Sequence, residues 1–214
     1  VPVKAAEASY DFIREYEITF LIIFSMLVTV VIFYIIYKNR QEKSRLLKRA
    51  QRDALTGLFN KKTTQDMIDS FLEENGKDRC NALMIMDVDY FKQVNDTYGH
   101  MVGDKVLKIF GRLLAKQFRE KDIVGRIGGD EFMVLICNIK DVEIAKGRAK
   151  KLIDEVRALQ IPELAGSGIT ISVGIAYSPD HGTTFMELYR HADTALYQVK
   201  RGGRDGFSVY EKAN

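Results

Sequence analysis

The sequence is poor in cysteine, with two in 214 residues, Cys80 and Cys137, each inside an apolar run. No CxxC pair and no Cys/His ligand spacing occurs, so neither a disulfide framework nor a zinc site is expected. A dinucleotide fingerprint is also missing, because GRIGG (125–129) is not GxGxxG. Most of the chain lacks a basic surplus as well. Residues 1–52 hold 9 Lys and Arg against 5 Asp and Glu, a net +4, whereas 53–214 hold 23 against 24, a net −1. A globular part without excess positive charge lacks the electrostatic footprint of a nucleic-acid binder, and no nucleic-acid partner is expected.

Apolar residues, by contrast, make up 46% of the chain, enough for one core of ordinary size plus a shorter appendage. The appendage is ITFLIIFSMLVTVVIFYIIY (18–37), twenty residues without a charge. At about 1.5 Å per residue it spans a hydrocarbon core of about 30 Å. A buried core helix is ordinarily shorter and keeps a polar face. A cleaved signal peptide is not preceded by 17 mostly polar residues. After the run, seven Lys and Arg fall between Lys38 and Arg52 against one acid, Glu42; before it stand Glu7, Asp11, Glu15 and Glu17 against Lys4 and Arg14. The positive-inside rule therefore puts everything after residue 38 in the cytoplasm, giving a single-pass protein of the inner or plasma membrane. The expected organisation is an extracytoplasmic remnant of a longer protein (1–17), a transmembrane helix (18–37), a basic helical connector (38–52) and a catalytic domain (53–214). Leu46, Leu47 and Ala50 of the connector are available for pairing with a second copy.

Within the last segment, DALTGLFN (53–60) interrupts the helical pattern at Gly57. Asn60 is placed to cap a helix that ends at Gly76. NALMIMDVD (81–89) is a continuous apolar run ending in two aspartates, as in a strand buried on both faces. A helix follows over 103–118, then strands IVGRI and EFMVLICNI joined through Gly128 and Gly129, a two-glycine hairpin signal. A helix (142–159), a strand (168–178), a helix (185–201) and a short FSVYE strand complete an α+β, mixed α/β fold: a central sheet flanked by helices.

The run 81–89 delivers Asp87 and Asp89 at its C-terminal end, and the glycine hairpin delivers Asp130 and Glu131. If the two strands are neighbours, three or more carboxylates converge, a costly arrangement unless a divalent cation lies between them. Oxygen ligands alone point to Mg²⁺ or Mn²⁺. Such an ion usually shares its shell with phosphate oxygens. DVDYFKQVNDTYGH offers a tight turn whose amides suit phosphate, with Lys92, Lys200 and Arg204 as partners. Taken singly, each feature also reads as a solvated loop or turn.

In combination, RIGGDEF, DALTGLFN, MDVDYFKQVNDTYGHMVGD and ALYQVKRGGRD, in that arrangement along 53–211, resemble the GGDEF family of diguanylate cyclases. The resemblance implies a palm-like fold shared with nucleotide cyclases and polymerases. It also implies condensation of two GTP into cyclic di-GMP with release of two pyrophosphates, across a homodimer in which each domain holds one GTP. By position, Asp87, the Val88 carbonyl, Asp130 and Glu131 would hold the metal, with Asp130 the base for the attacking 3′-hydroxyl. Asn95 and Asp104 would read guanine, although Asp104 also suits a helix cap, and His100 would line the pocket. Amides of Tyr90 and Phe91 would join Lys92, Lys200 and Arg204 on the phosphates, while Gly128 and Gly129 leave room for the nucleotide. Arg119 and Asp122 match the family's product-inhibition site for cyclic di-GMP, or else form an ordinary i,i+3 surface pair. The alternative function is a catalytically silent module that senses GTP or cyclic di-GMP. The geometric expectation is that Gly129, Asp130 and Glu131 face the end of 81–89, with Phe132 turned into the core.

Overall fold

Continuous apolar sequence at Asn81–Val88 makes strand β2, and all eight of its residues are buried. The structure, a computed structural model, describes residues 2–75 and 79–212, with side chains described outside 2–15, 18, 44–49 and 75. It divides into two units, Val1–Ala50 and Gln51–Asn214. The first is a single helix, α1 (Pro2–Ala50). Within α1, Thr19–Lys43 is, among the described residues, the one stretch long and apolar enough to cross a membrane, with a mean hydropathy of 2.8 and none of it buried. It begins with the expected uncharged run and continues into the basic flank. The side chains of Leu46 and Leu47 lie outside the described residues, as does Gly76; Ala50 is exposed.

The second unit is built on a six-stranded mixed sheet in the order β1-β3-β4-β2-β5-β6: β1 (Phe59–Asn60), β3 (Ile123–Arg126), β4 (Glu131–Ile136), β5 (Ile171–Ser178) and β6 (Gly206–Val209) around β2. β2 pairs antiparallel with both β4 and β5, and β1·β3 and β5·β6 are parallel. Alternation along β2 feeds two cores. Ala82, Met84, Met86 and Val88 pack under α3 (Phe91–Tyr98), α4 (His100–Gln117) and α5 (Val142–Arg157). Leu83 and Ile85 pack under α2 (Lys61–Asn75) and α6 (Phe185–Arg201). The expected α+β sheet with helices on its faces is the observed architecture. Gly174 on β5 lets α6 press onto the sheet, since a Cβ there would stand 2.0 Å from the Ala192 carbonyl oxygen. Helix starts are chemically marked: Asn60 Oδ1 accepts from the Thr63 amide, Asp141 Oδ1 from the Glu143 amide, and Thr184 with Glu187 forms a capping box.

Several expectations need correction. The segment after β2 is two helices, α3 and α4, joined at Gly99 (φ 85), where the sequence suggested one tight turn and a helix from 103. Phe91, Val94 and Tyr98 give α3 its apolar edge. With eight residues and a polar remainder, its period was too short to stand out. α4 begins at His100 behind Gly99 as N-cap, so Asp104 lies inside the helix and is not its cap. The predicted glycine hairpin is a four-residue loop, 127–130, in which neither Gly128 nor Gly129 takes a positive φ. The two-residue β1 was not foreseen, strands expected at 131–139 and 168–178 are trimmed to the ranges above, and the one expected at 207–211 is shifted to 206–209.

At the sheet end remote from the β2 terminus, His181 Nδ1 accepts the Tyr177 amide at 3.0 Å, and Tyr210 packs edge-on to His181 and stacked on His191. Burial, together with the positive charge of His191 and Lys212, lowers the His181 pKa against the opposing pull of Asp180. A depressed folded pKa contributes stability above the ordinary imidazole value of about 6.5 that is lost as pH falls through the folded value. Thermal midpoints measured from pH 7 downward should therefore fall more for the native chain than for His181→Asn, which keeps an acceptor but cannot titrate; parallel curves would contradict this.

Candidate active site

The β2·β4 register places Asp87 directly opposite Glu131. Both lie on the sheet face covered by α2 and α6, since the odd-numbered neighbours Ile85 and Met133 belong to that core. Phe132, one residue on, points to the opposite face. It is fully buried and meets the Phe110 ring edge-on at 4.8 Å. Asp130 sits in the loop just before β4, and its carbonyl accepts the Val88 amide at 3.2 Å. Because Asp130 is in the loop and Glu131 is the first strand residue, the two adjacent acids are not forced to opposite faces. The hairpin thus does meet the end of β2, with Phe132 in the core as expected.

Burial raises the Asp87 pKa. A hydrogen bond from Lys200 opposes this, and the negative charges of Asp130 and Glu131 push the same way as burial. Lys200 Nζ, from the last turn of α6, lies 2.7 Å from Asp87 Oδ2. The sequence reading gave Lys200 to phosphate; in the structure its ammonium meets a carboxylate. Among the described residues, no three or more His, Cys, Asp or Glu side chains gather closely enough to hold an ion. The set of acidic groups that the strand end and the loop present, Asp87, Glu131 and Asp130, is nonetheless all oxygen. It carries more negative charge than one lysine offsets, which is the chemistry a hard divalent cation suits. Glu131 in turn raises the pKa of Tyr189 on α6, after burial.

The loop itself is stapled. Arg126 donates from Nη1 to both Asp53 oxygens (3.0 and 3.2 Å) and from Nε and Nη2 to the Gly129 carbonyl (3.2 and 2.7 Å). Although burial pushes the Asp53 pKa up, hydrogen bonds from the Thr56 hydroxyl and amide and from Arg126 bring it below the ordinary value. The space beside Gly129 is open where a Cβ would stand, whereas a Cβ at Gly128 would meet Glu131 Oε2 at 2.7 Å.

Asp89 does not join Asp87. It lies beyond the strand end, buried, accepting from Thr170, Ser172 and the Asp205 amide. Tyr90, in the left-handed region at φ 55, caps α3 without a side-chain hydrogen bond; its carbonyl accepts the Gln93 and Val94 amides at 2.8 and 3.2 Å, and the Phe91 amide lies ahead of these first helical bonds. Arg204 stacks on the Tyr90 ring at 4.6 Å, while Lys92 is exposed and Phe91 half-buried. On the other side of α3, half-buried Asn95 abuts α4. A Cβ at Gly103 would lie 1.9 Å from Asn95 Oδ1, so only glycine admits this approach. Asp104 and His100, on the same turns of α4, are exposed.

Asp122 is no surface partner of Arg119. Its carboxylate is fully buried and accepts from the Arg148 guanidinium at 2.9 Å, the Cys137 amide at 3.2 Å and the Arg119 main-chain amide at 3.0 Å, while Arg119 itself is exposed. Arg148, Arg126, Asp53 and Arg157 escaped the sequence reading, because their partners lie far away in sequence, and Gly103 because its approach to Asn95 arises only where α3 packs back against α4. Only the Gly103-Asp104 pairing inside GHMVGD hinted at one of them.

The domain model described as "Diguanylate cyclase, GGDEF domain" matches residues 50–206, and the chain belongs to that family. Among curated relatives, probable diguanylate cyclase DgcT of Escherichia coli is 38% identical over 77% of this chain and 37% of its own length. Cyclic di-GMP phosphodiesterase PdeR of Escherichia coli is 35% identical over 82% of this chain and 26% of its own. The chain thus spans well under half the length of either. The solved coiled coil and GGDEF domain of DgcB from Caulobacter crescentus, in complex with c-di-GMP, aligns with a TM-score of 0.75 at 26% identity, covering 81% of this chain and 93% of that one.

Removing the staple by Arg126→Ala should free the loop. Amide exchange at 128–130 should accelerate and the thermal midpoint fall by about 2–12 °C, the loss of charge-assisted hydrogen bonds worth about 1–3 kcal/mol. Unchanged exchange at these amides would show that the loop holds without it.

Proposed function

We propose that the chain is a diguanylate cyclase, anchored through α1 with its second unit in the cytoplasm, that condenses two GTP into cyclic di-GMP and two pyrophosphates across a homodimer. The observation that carries the reading is the Asp87–Glu131 register at the end of β2 beside a glycine loop, within a chain that belongs to the GGDEF family. The +4 charge excess of residues 1–52, concentrated after the apolar run, supports the orientation.

Asp87, Glu131, Asp130 and the Val88 carbonyl would hold Mg²⁺ or Mn²⁺. When bound, such ions neutralise phosphate charge and lower the barrier to attack by a hydroxyl and departure of pyrophosphate. Asp130, in the loop, takes the proton of the 3′-hydroxyl presented by the partner domain's nucleotide. Asn95 and Asp104 bind the guanine edge: a carboxylate accepts both N1–H and the exocyclic amine, a pair adenine does not present. His100 flanks that pocket. The Tyr90 and Phe91 amides at the start of α3, with Lys92 and Arg204, receive the triphosphate, and Lys200 exchanges Asp87 for phosphate when nucleotide arrives. Arg119, exposed beside the Asp122–Arg148 pair, supplies the product-inhibition surface for cyclic di-GMP.

PdeR, a relative named for breaking cyclic di-GMP down and not for making it, favours as second reading a domain that binds GTP or cyclic di-GMP without synthesising it. One assay separates them. The full chain in detergent with GTP and Mg²⁺ should form cyclic di-GMP, Asp130→Ala should abolish it, and ATP should not substitute. Binding of GTP by a dimer that forms no product would favour the silent module. Equal turnover of ATP would overturn the guanine assignment.

Two substitutions probe the parts. Gly103→Ala pushes against the flexible end of Asn95, so it should leave the thermal midpoint within a few degrees while raising KM for GTP about tenfold, as loss of one recognition hydrogen bond does. An unchanged KM would remove Asn95 from the pocket. Asp87→Asn should abolish turnover yet raise the midpoint in chelator at neutral pH. The raised pKa marks a fold that disfavours the ionised carboxylate, and the amide still accepts from Lys200. A lowered midpoint would mean that the Lys200 pair outweighs the burial of charge.

A further inference from the structure

The turn after α6 is conformationally expensive. Arg204 and Asp205 both lie in the left-handed region, at φ 68 and 51, and two successive non-glycine residues stay there only where their surroundings over-determine them. Two grips from different elements do so. Beyond β2, the buried Asp89 carboxylate accepts the Asp205 amide at 3.1 Å while also accepting the hydroxyls of Thr170 (2.8 Å) and Ser172 (2.7 Å), which hold it in place from the β5 side. From the end of α5, Arg157 Nη2 donates to the Asp205 carbonyl at 3.0 Å, and its Nε donates to both oxygens of the Asp205 carboxylate at 2.9 and 3.0 Å. Asp154 steadies the same guanidinium at 3.2 Å.

One residue is therefore held at its N–H by a carboxylate and at its C=O by a guanidinium, so both peptide planes around it are set. The product of this fixation is the placement of Arg204. Its guanidinium lies over the ring of Tyr90, the residue that caps α3, with Nη1 3.3 Å from the Tyr90 hydroxyl. A long arginine in solvent would otherwise lose rotamer entropy on meeting an anion. Here the left-handed turn and the ring have already restricted it.

We infer that Asp89 and Arg157 are positioning residues that preset Arg204 for the nucleotide's phosphates through the Arg204–Asp205 turn, although neither touches substrate. The inference rests on the proposed function, in which Arg204 receives the triphosphate. It gives Asp89 a separate duty from Asp87, two residues away, and assigns a role to a surface arginine at the far end of α5.

The test compares two probes on the full chain in detergent with Mg²⁺: an α,β-methylene analogue of GTP, which carries the triphosphate and resists cleavage at the α-phosphate, and guanosine, which carries none. Arg204→Ala should weaken the analogue about tenfold and leave guanosine unchanged, the loss expected for one charge-assisted contact. Asp89→Asn and Arg157→Ala should each weaken the analogue several-fold, on the order of threefold to tenfold, again sparing guanosine. Arg157→Ala in the Arg204→Ala background should add nothing further, because both act through one group. Arg157 is partly exposed and keeps the test usable if Asp89→Asn fails to fold. Equal weakening of both probes, or a further loss in the double variant, overturns the positioning role. An Arg204→Ala variant that binds the analogue normally overturns the phosphate assignment of Arg204 itself, and the two failures are told apart by which variant shows them.

Discussion

Antiparallel pairing of β2 with β4 in one register is the constraint on which the domain depends. Because strand side chains alternate, a slip of one residue would send Met84 and Met86 into the core under α2 and α6, and Leu83 and Ile85 under α4. The same slip would pull Asp87 off Glu131. The register is fixed by two apolar cores at once, one on each face, and the acidic pair is carried to its place by that agreement. The site is thus positioned by hydrophobic packing several residues away, with no carboxylate needing to attract its neighbour.

Charge at the strand end is handled by division. Asp87 faces Lys200 and shares its surroundings with Asp130 and Glu131, which leaves negative charge in excess. Asp89, two residues on, has three donors and belongs to the scaffold. Asp53, in a separate loop, is matched by Arg126, which also ties down the Gly129 carbonyl. Three aspartates that look alike in sequence therefore carry three different duties, and what separates them is the donor each one meets.

Local sequence disclosed what local physics determines. An unbroken apolar run could only be a strand covered on both faces, and it is β2; the amphipathic stretches became α5 and α6 within two residues of their expected ends. The glycine pair was read as a turn with the right strands but the wrong geometry. A type I′ hairpin needs left-handed glycines, and these two serve instead to keep side chains out of the loop. The run DYFKQVNDTYGH hid α3 because its apolar edge has three members. The Arg126–Asp53, Arg148–Asp122 and Arg157–Asp205 pairs were invisible, joining residues 73, 26 and 48 positions apart. Asp122 shows the cost: its nearest arginine in sequence lends a main-chain amide, and a distant helix brings the guanidinium.

The edge-to-face contact of Phe132 with Phe110 joins β4, whose first residue is Glu131, to α4, whose second turn bears Asp104. Under the proposed function these are the two ends of one nucleotide's berth. A buried aromatic pair at 4.8 Å yields little to compression or stretch, so the interval between base reader and acid works as a gauge. Selection then falls on how far a ligand's base stands from its phosphates as well as on the pattern of its base edge. Under that function a nucleotide of the right letter but the wrong reach would be refused by geometry set in the core.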